Sequence, residues 1–331
     1  MNDKVCLPRL SLGCLGGTVS MQSGLPGHGV TPKLEGRELL AGLPLLGSLA
    51  QISTATLCLL PSASLSFQVM LDVLSWARRE VEGGAQAVVL TQGTDTLEES
   101  AYFLDLLWPF DVPLVVTGAM RPASHPGRDG PANLLAAVQV ALAVESHGRG
   151  VLVVLNDQIH LAADVRKTAS LAMAAFESPG WGLEGYVVEG RAIYRRPPAL
   201  RKVLPLPRGR EHRVALLETC LDADSALLQS IPTLGYEGLV VGGFGAGHVS
   251  AVWAESMARI AQDMPVIVAT RTGSGPTARA TYGFAGAEID LVSKGLHMAG
   301  DLCPRKCRIL LWLLIGLDNQ AALPGWLAAR Q

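Results

Sequence analysis

Between Thr91 and Ser100 the sequence concentrates reactive groups: Thr91-Gln92-Gly93-Thr94-Asp95-Thr96, then Leu97-Glu98-Glu99-Ser100. Leu97, Ala101, Leu104 and Trp108 recur at helical spacing, so a helix is expected to begin near Thr96. Thr96 with Glu99 three residues on has the form of a capping box. One polar side chain suffices to cap a helix, and Gly-Thr-Asp-Thr supplies three. The surplus stands at a helix N-terminus, where unpaired N–H groups favour negative charge developing during a reaction. The bland alternative is that all three are caps.

Other loops carry candidates of their own. Gly13-Cys14-Leu15-Gly16-Gly17-Thr18 follows an apolar start and sets a threonine beside paired glycines, which permit close approach of backbone to a ligand. Phosphate binding is disfavoured there, because neither Gly-Lys-Ser/Thr nor G-x-G-x-x-G is present. Gly118-Ala119-Met120-Arg121-Pro122 leads to Asp129-Gly130-Pro131-Ala132-Asn133, where Asp129 reads as an N-cap with Pro131 in the first turn. Asn156-Asp157 precedes Asp164-Val165-Arg166-Lys167-Thr168. Lys167 is either a solvated surface residue or, in a dehydrated cleft beside a hydroxyl, a base.

The elements that would position these loops follow from apolar patterning. Short β-rich runs at 85–90, 113–117, 150–155, 214–217, 239–241 and 265–269 alternate with helical candidates around 67–82, 96–108, 131–146, 249–262 and 304–316. Strands apolar on both faces and separated by helices imply a mainly parallel sheet, and so an α/β fold. In such a sheet ligands gather at the carboxyl ends of the strands, where the loops above lie. From Arg195 to Arg210 the chain packs four prolines among basic residues without periodicity, which is linker composition. The expected organisation is a larger N-terminal domain over 1–190 with a flavodoxin-like sheet, a linker over 191–212 and a smaller C-terminal α/β domain over 213–331.

At 331 residues, about half hydrophobic and 17% charged, the chain can bury two cores, and a net charge of −2 gives no footprint for nucleic acid. The dispersed cysteines suit a reducing compartment, and Cys303 and Cys307 read as buried thiols, although His297 lies nearby. Lys4 and Arg9 introduce no apolar stretch with a cleavage site, so no signal peptide is expected. The longest apolar run, Ile309 to Ile315, is too short to cross a bilayer, and a cytoplasmic protein without membrane or nucleic-acid partners is expected.

Taken together, these segments resemble the bacterial-type L-asparaginase/glutaminase family. The resemblance is carried by Gly16-Gly17-Thr18-Val19, TQGTDTLEESAYFLDLL from Thr91, VTGAMRP with DGPANL, VLVVLND with DVRKT, and GDLCPRKCRILL. It spans about residues 10 to 316. It implies hydrolysis of L-asparagine, with possible glutaminase side activity, and no metal or organic cofactor. Carried over by position, Thr18 is the nucleophile, and Thr94, Lys167 and Asp95 handle protons. Asp95 also pairs with the substrate's α-ammonium, and Ser62 holds its α-carboxylate. Gly93 and Ala119 are expected to touch substrate, with main-chain N–H groups of the threonine loops holding the oxyanion. Glu288, in Tyr282-Gly283-Phe284-Ala285-Gly286-Ala287-Glu288, is implied to face a neighbouring subunit's substrate ammonium, and Gly243–His248 to form another neighbour-facing segment. A homotetramer built from intimate dimers follows from the same resemblance.

Two positions depart from the family pattern. Val30 stands where family members commonly carry a Tyr that helps activate the first threonine, and Ala63 replaces a frequent polar contact after Ser62. Tyr282 is expected to replace the missing phenol, with water or Thr31 as the bland alternative. A catalytically impaired amino-acid-binding or regulatory module on the same fold is the competing reading. Lys167 argues against it, since a binder has no use for a base. An amidotransferase subunit acting on Glu-tRNA is weaker still, since Thr18 lies near the chain start.

Overall fold

A computed structural model describes residues 7–23, 29–209 and 211–329. Lys4, Cys6, Gly27, His28 and Arg210 therefore lie outside the described residues. The chain divides into two compact units after Val203.

The first unit is built on an eight-stranded sheet. Its strands are β1 (Arg9–Gly16), β4 (Gln51–Leu60), β5 (Ala87–Thr91), β6 (Leu114–Thr117), β7 (Val151–Leu155), β8 (Gln158–Leu161), β11 (Gly185–Val188) and β12 (Arg191–Tyr194). The spatial order is β12-β11-β8-β7-β6-β5-β1-β4. The five strands from β7 to β4 run parallel, and β8, β11 and β12 extend the sheet antiparallel. Two small hairpins complete the strands: β2 (Met21–Ser23) with β3 (Val30–Pro32), and β9 (Arg166–Lys167) with β10 (Phe176–Glu177). Every residue of β5, β6 and β7 is buried, which is why these central strands read as continuous apolar runs.

Helices cover both faces. On one, α1 (Gly36–Ala41), α2 (Leu46–Leu49) and α5 (Gly130–Leu142) pack a core that includes Leu10, Leu12, Val89, Val115, Leu134 and Leu152. On the other lie α3 (Phe67–Glu82) and α4 (Leu97–Leu107). Ser66 caps α3 by accepting from the Val69 N–H. Arg191–Tyr194, at the start of the stretch expected to be linker, form the outermost strand instead.

The second unit carries an all-parallel sheet in the order β13-β14-β15-β16 (Val214–Glu218, Gly238–Gly243, Val266–Thr270, His297–Met298). The helices α6 (Ala226–Ser230), α7 (Ala251–Ile260) and α8 (Glu288–Ser293) share one core with it, and α9 (Pro304–Ile315) lies on the other face. The C-terminal α10 (Leu323–Ala328) follows. Cys303 and Cys307 are both buried at the start of α9. Among the described residues no helix is long and apolar enough to cross a membrane.

One ion pair ties the end of α4, the start of β7 and the segment carrying Arg201 together. Asp105 of α4 accepts from the Val151 N–H at the start of β7 and from the Arg201 guanidinium at 2.8 Å. Burial pushes the Asp105 carboxyl above its ordinary range, although Arg201 and the Val151 N–H pull it back. Replacing Arg201 by Ala strips the countercharge. The side chains remain 18% and 19% exposed, so the expected loss is about 2–3 kcal/mol at neutral pH, below that of a fully buried pair. A carboxyl raised in the folded state destabilises only where it ionises. The carboxylate part of the loss should therefore fade below the unfolded Asp value and grow as pH rises through the folded one, leaving at low pH only the lost Arg201 bonds to the Asp105 and Trp108 carbonyls, as urea unfolding across pH will record.

Candidate active site

Three loops at the carboxyl ends of β1, β4 and β5 meet at one point, and their glycines decide how closely. Gly17 has φ +78°, and a Cβ there would lie 2.0 Å from the Gly93 nitrogen. Any side chain would drive the two threonine loops apart. Gly93 in turn faces Ser62, whose Oγ would sit 2.7 Å from a Cβ at position 93. Gly118, after β6, lies against the Gln92 carbonyl and the Thr94 methyl. Backbone contact thus gathers Thr18, Ser62, Gly93, Thr94 and Asp95.

Each side chain then takes a defined place. Thr18 opens a short 3-10 turn, Thr18–Ser20, and is half-buried. Ser20 steadies that turn, its Oγ donating to the Gly17 carbonyl at 2.8 Å. Thr94 is 5% exposed, and its Oγ1 accepts from Lys167 Nζ at 3.0 Å. The same ammonium donates to Asp95 Oδ1 at 2.9 Å, although Asp95's side chain is 67% exposed and Lys167's only 15%. Lys167 is therefore no solvated surface residue. Ser62 is buried, and its Oγ accepts from the Asp95 N–H at 3.1 Å. That leaves the hydroxyl proton available to donate.

The capping box at Thr96 does not form. Thr96 occupies the N-cap position at φ −116°, ψ 13°, without a side-chain cap bond. Its Oγ1 donates instead to the Ser62 carbonyl at 3.0 Å, stitching the Ser62 turn to the start of α4. An N-cap side chain normally needs the extended backbone region to reach back, and Thr96 is not in it. Asp129 does stand at the N-cap of α5 with Pro131 behind it, but its carboxylate accepts from the Met120 and Arg121 N–H groups.

Asn133 is the residue that sequence reading passed over. Its Nδ2 donates to the Gly118 carbonyl at 3.0 Å and its Oδ1 accepts from the Asn156 N–H at 2.9 Å. One amide thus ties three motifs: VTGAMRP, DGPANL and VLVVLND. The available signal was an amide in the first turn of a helix that is otherwise apolar except for Gln139. Ala119 is fully buried beside it. Val30, in β3, is half-buried and pairs with Ser23. Ala63 is exposed in the turn Ser62–Ser64.

Glu288, in the second unit, begins α8 with its carboxylate covered by its own loop. Oε1 accepts from the Thr281 and Tyr282 N–H groups at 2.6 Å each, and Oε2 lies 3.3 Å from His248 Nε2. The rings of Tyr282 and Phe284 pack edge-on against His248, with centroids 4.9 and 5.1 Å away. Tyr282 itself is 44% exposed.

The family described as Asparaginase, N-terminal, matches residues 9–200, and the Glutaminase/Asparaginase C-terminal domain matches residues 213–322. The chain belongs to the asparaginase family. A probable L-asparaginase of Deinococcus radiodurans is 35% identical over 318 residues, 94% of this chain and 94% of the relative. A probable periplasmic L-asparaginase of Haemophilus influenzae is 33% identical over 317 residues, 93% of this chain and 89% of the relative. The crystal structure of a probable cytoplasmic L-asparaginase from Campylobacter jejuni superposes with a TM-score of 0.87. It is 28% identical and covers 98% of this chain and 100% of that one. Both units of the asparaginase fold are thus present, and the α/β organisation expected from sequence is the one observed.

The carboxylate of Glu288 allows the bonds that cover it to be tested. Burial pushes it up, but the N–H groups of Tyr282, Glu288 itself and Thr281, with the His248 side chain, pull it below the usual Glu range. A depressed carboxyl stabilises the fold above its unfolded value and loses that contribution as pH falls through the folded one. Glu288→Gln should therefore melt below the parent at neutral pH, with the gap closing as pH falls below the ordinary Glu range. Thermal melts at neutral and at acid pH check this.

Proposed function

We propose that the protein hydrolyses the side-chain amide of L-asparagine to L-aspartate and ammonia through a threonine nucleophile and an acyl-enzyme. The observation that carries the proposal is the Thr94–Lys167–Asp95 cluster, seated where the Gly17 and Gly93 backbones touch. A hydroxyl in contact with an amine, beside an exposed carboxylate, is the arrangement that proton transfer at a carbonyl requires.

In this reading Thr18 Oγ forms a bond to the amide carbon. The carbonyl oxygen takes the charge and is held by main-chain N–H groups of the two threonine loops. The C–N bond then breaks. Ammonia leaves with the proton that Thr18 gave up, relayed by Thr94 and Lys167. A water, deprotonated through the same set, attacks the ester carbon, and Thr18 regains its proton as aspartate departs. The substrate's α-ammonium pairs with exposed Asp95 and its α-carboxylate accepts from Ser62, with Gly93 and Ala119 shaping the wall between them. An ammonium at Asp95 competes with Lys167 Nζ for that carboxylate and loosens the ion pair. Glutamine adds one methylene, a difference worth only ~1–3 kcal/mol in a pocket, so side activity on it belongs to the same proposal.

The reading extends to a homotetramer of intimate dimers in which Glu288 serves a neighbour's site, with no cofactor. The covered carboxylate of Glu288 requires the 281–284 loop to shift for that role. A cytoplasmic location accords with the dispersed cysteines.

Ammonia release from L-asparagine, L-glutamine and D-asparagine tests the proposal. Thr18→Ala, Thr94→Val and Lys167→Met should each lower kcat on L-asparagine by a factor on the order of 10³. Parent protein that releases no ammonia, yet melts higher with asparagine or aspartate, would be an amino-acid-binding module instead. We propose that Tyr282, from the loop that carries Glu288, supplies the phenol missing at Val30 and passes the Thr18 proton on to the relay of Thr94 and Lys167, so Tyr282→Phe should depress kcat about tenfold or more. Unchanged kcat removes Tyr282 from the mechanism.

A further inference from the structure

Lys167 is held at both ends by one short stretch of chain. Its Nζ reaches Thr94 and Asp95, just before α4. Its backbone N–H donates to the carboxylate of Glu98, in the first turn of α4. Glu98 is 2% exposed, so this carboxylate has been taken out of water. Burying a carboxylate is costly unless it is bonded and in a favourable field. The first turn of a helix supplies such a field, and the Lys167 N–H supplies a bond.

We infer that Glu98 is a positioning residue for the proton-handling set, fixing the backbone of Lys167 so that its amine meets the Thr94 hydroxyl. The geometry favours this over a purely architectural role. Lys167 sits on β9, a strand of two residues that among the described residues pairs with β10 and with no strand of the main sheet. A lysine side chain has four rotatable carbons, so a small backbone shift at 167 becomes a displaced amine. The Glu98 carboxylate joins that hairpin to the same five residues, 94–98, that carry the hydroxyl and the second carboxylate. Lys167 and its targets are thereby referred to one rigid origin, the N-terminus of α4. Glu98 touches no reacting atom, and its effect passes through Lys167.

This inference rests on the asparaginase reading for its kinetic arm and on the position of the Lys167 amine alone for the other. Glu98→Asp keeps the charge but withdraws it by one methylene, and Glu98→Gln keeps the reach and an acceptor oxygen. Glu98→Asp should lower kcat on L-asparagine at least tenfold with KM within threefold, at a melting temperature near the parent's. Glu98→Gln should restore kcat to within threefold. Kcat unchanged in folded Glu98→Asp, or kcat and KM moving together in both variants, would overturn the inference. The crystal structure of Glu98→Asp supplies a readout that needs no activity. Lys167 Nζ should have left hydrogen-bond distance of Thr94 Oγ1, and an amine still in place there would overturn the inference even if the parent proved inactive.

Discussion

Everything at the site rests on two glycines in backbone contact. Gly17 and Gly93 approach so closely that neither a methyl group nor an ordered water fits between them. That approach brings a turn following β1 against a turn following β5, two strands that are neighbours in the sheet. The positive φ of Gly17 then turns the chain so that Thr18 follows at once. The proposed affinity and chemistry are both built on backbone here, and the side chains proposed to react are appended to a frame that tolerates no extra carbon.

Polar side chains brace that frame. Thr96 ties the Ser62 turn to α4, Ser62 holds the Asp95 N–H, and Asn133 binds the turn after β6 to the turn after β7. Each such bond is worth only about 1 kcal/mol net. Their value is geometric, because losing one partner leaves a buried donor or acceptor exposed to no water. The residues holding the site are thus drawn from the same polar class as the residues proposed to act in it, which is why composition alone does not separate the two groups.

That mixture sets what could be read from sequence. The central strands β5, β6 and β7 and the helices α3 to α5 were legible because full burial writes an unbroken apolar run or a 3.6 period. β4 was not, since QISTATLCLL is an edge strand whose residues are all half-buried or exposed. β11 and β12 are short and largely exposed, β8 is short and carries a polar His160 between its apolar residues, and β12 abuts a stretch of basic and proline composition that masked it. Thr96 shows a different limit. A hydroxyl before a helix has a local partner that sequence reveals and a tertiary partner that it does not, and here the Ser62 carbonyl takes it. Lys167 was left between base and surface for the same reason, because the decision lay with Thr94, seventy-three residues away.

The hairpin that carries Lys167 differs in kind from the strands that lead into Thr18 and Thr94. Two residues paired with two others, outside the main sheet, are held chiefly by what they touch: Val165, Arg166, Ala175 and Phe176 are buried, and Glu98 accepts from the Lys167 N–H. The hydroxyls follow directly from main-sheet strands, whereas the amine reaches them through packing and one carboxylate. Loosening those contacts would therefore disconnect the two without unpairing a strand of the main sheet. The fraction of molecules competent at any instant is then set by the seating of a small hairpin and not by the sheet that dominates the fold.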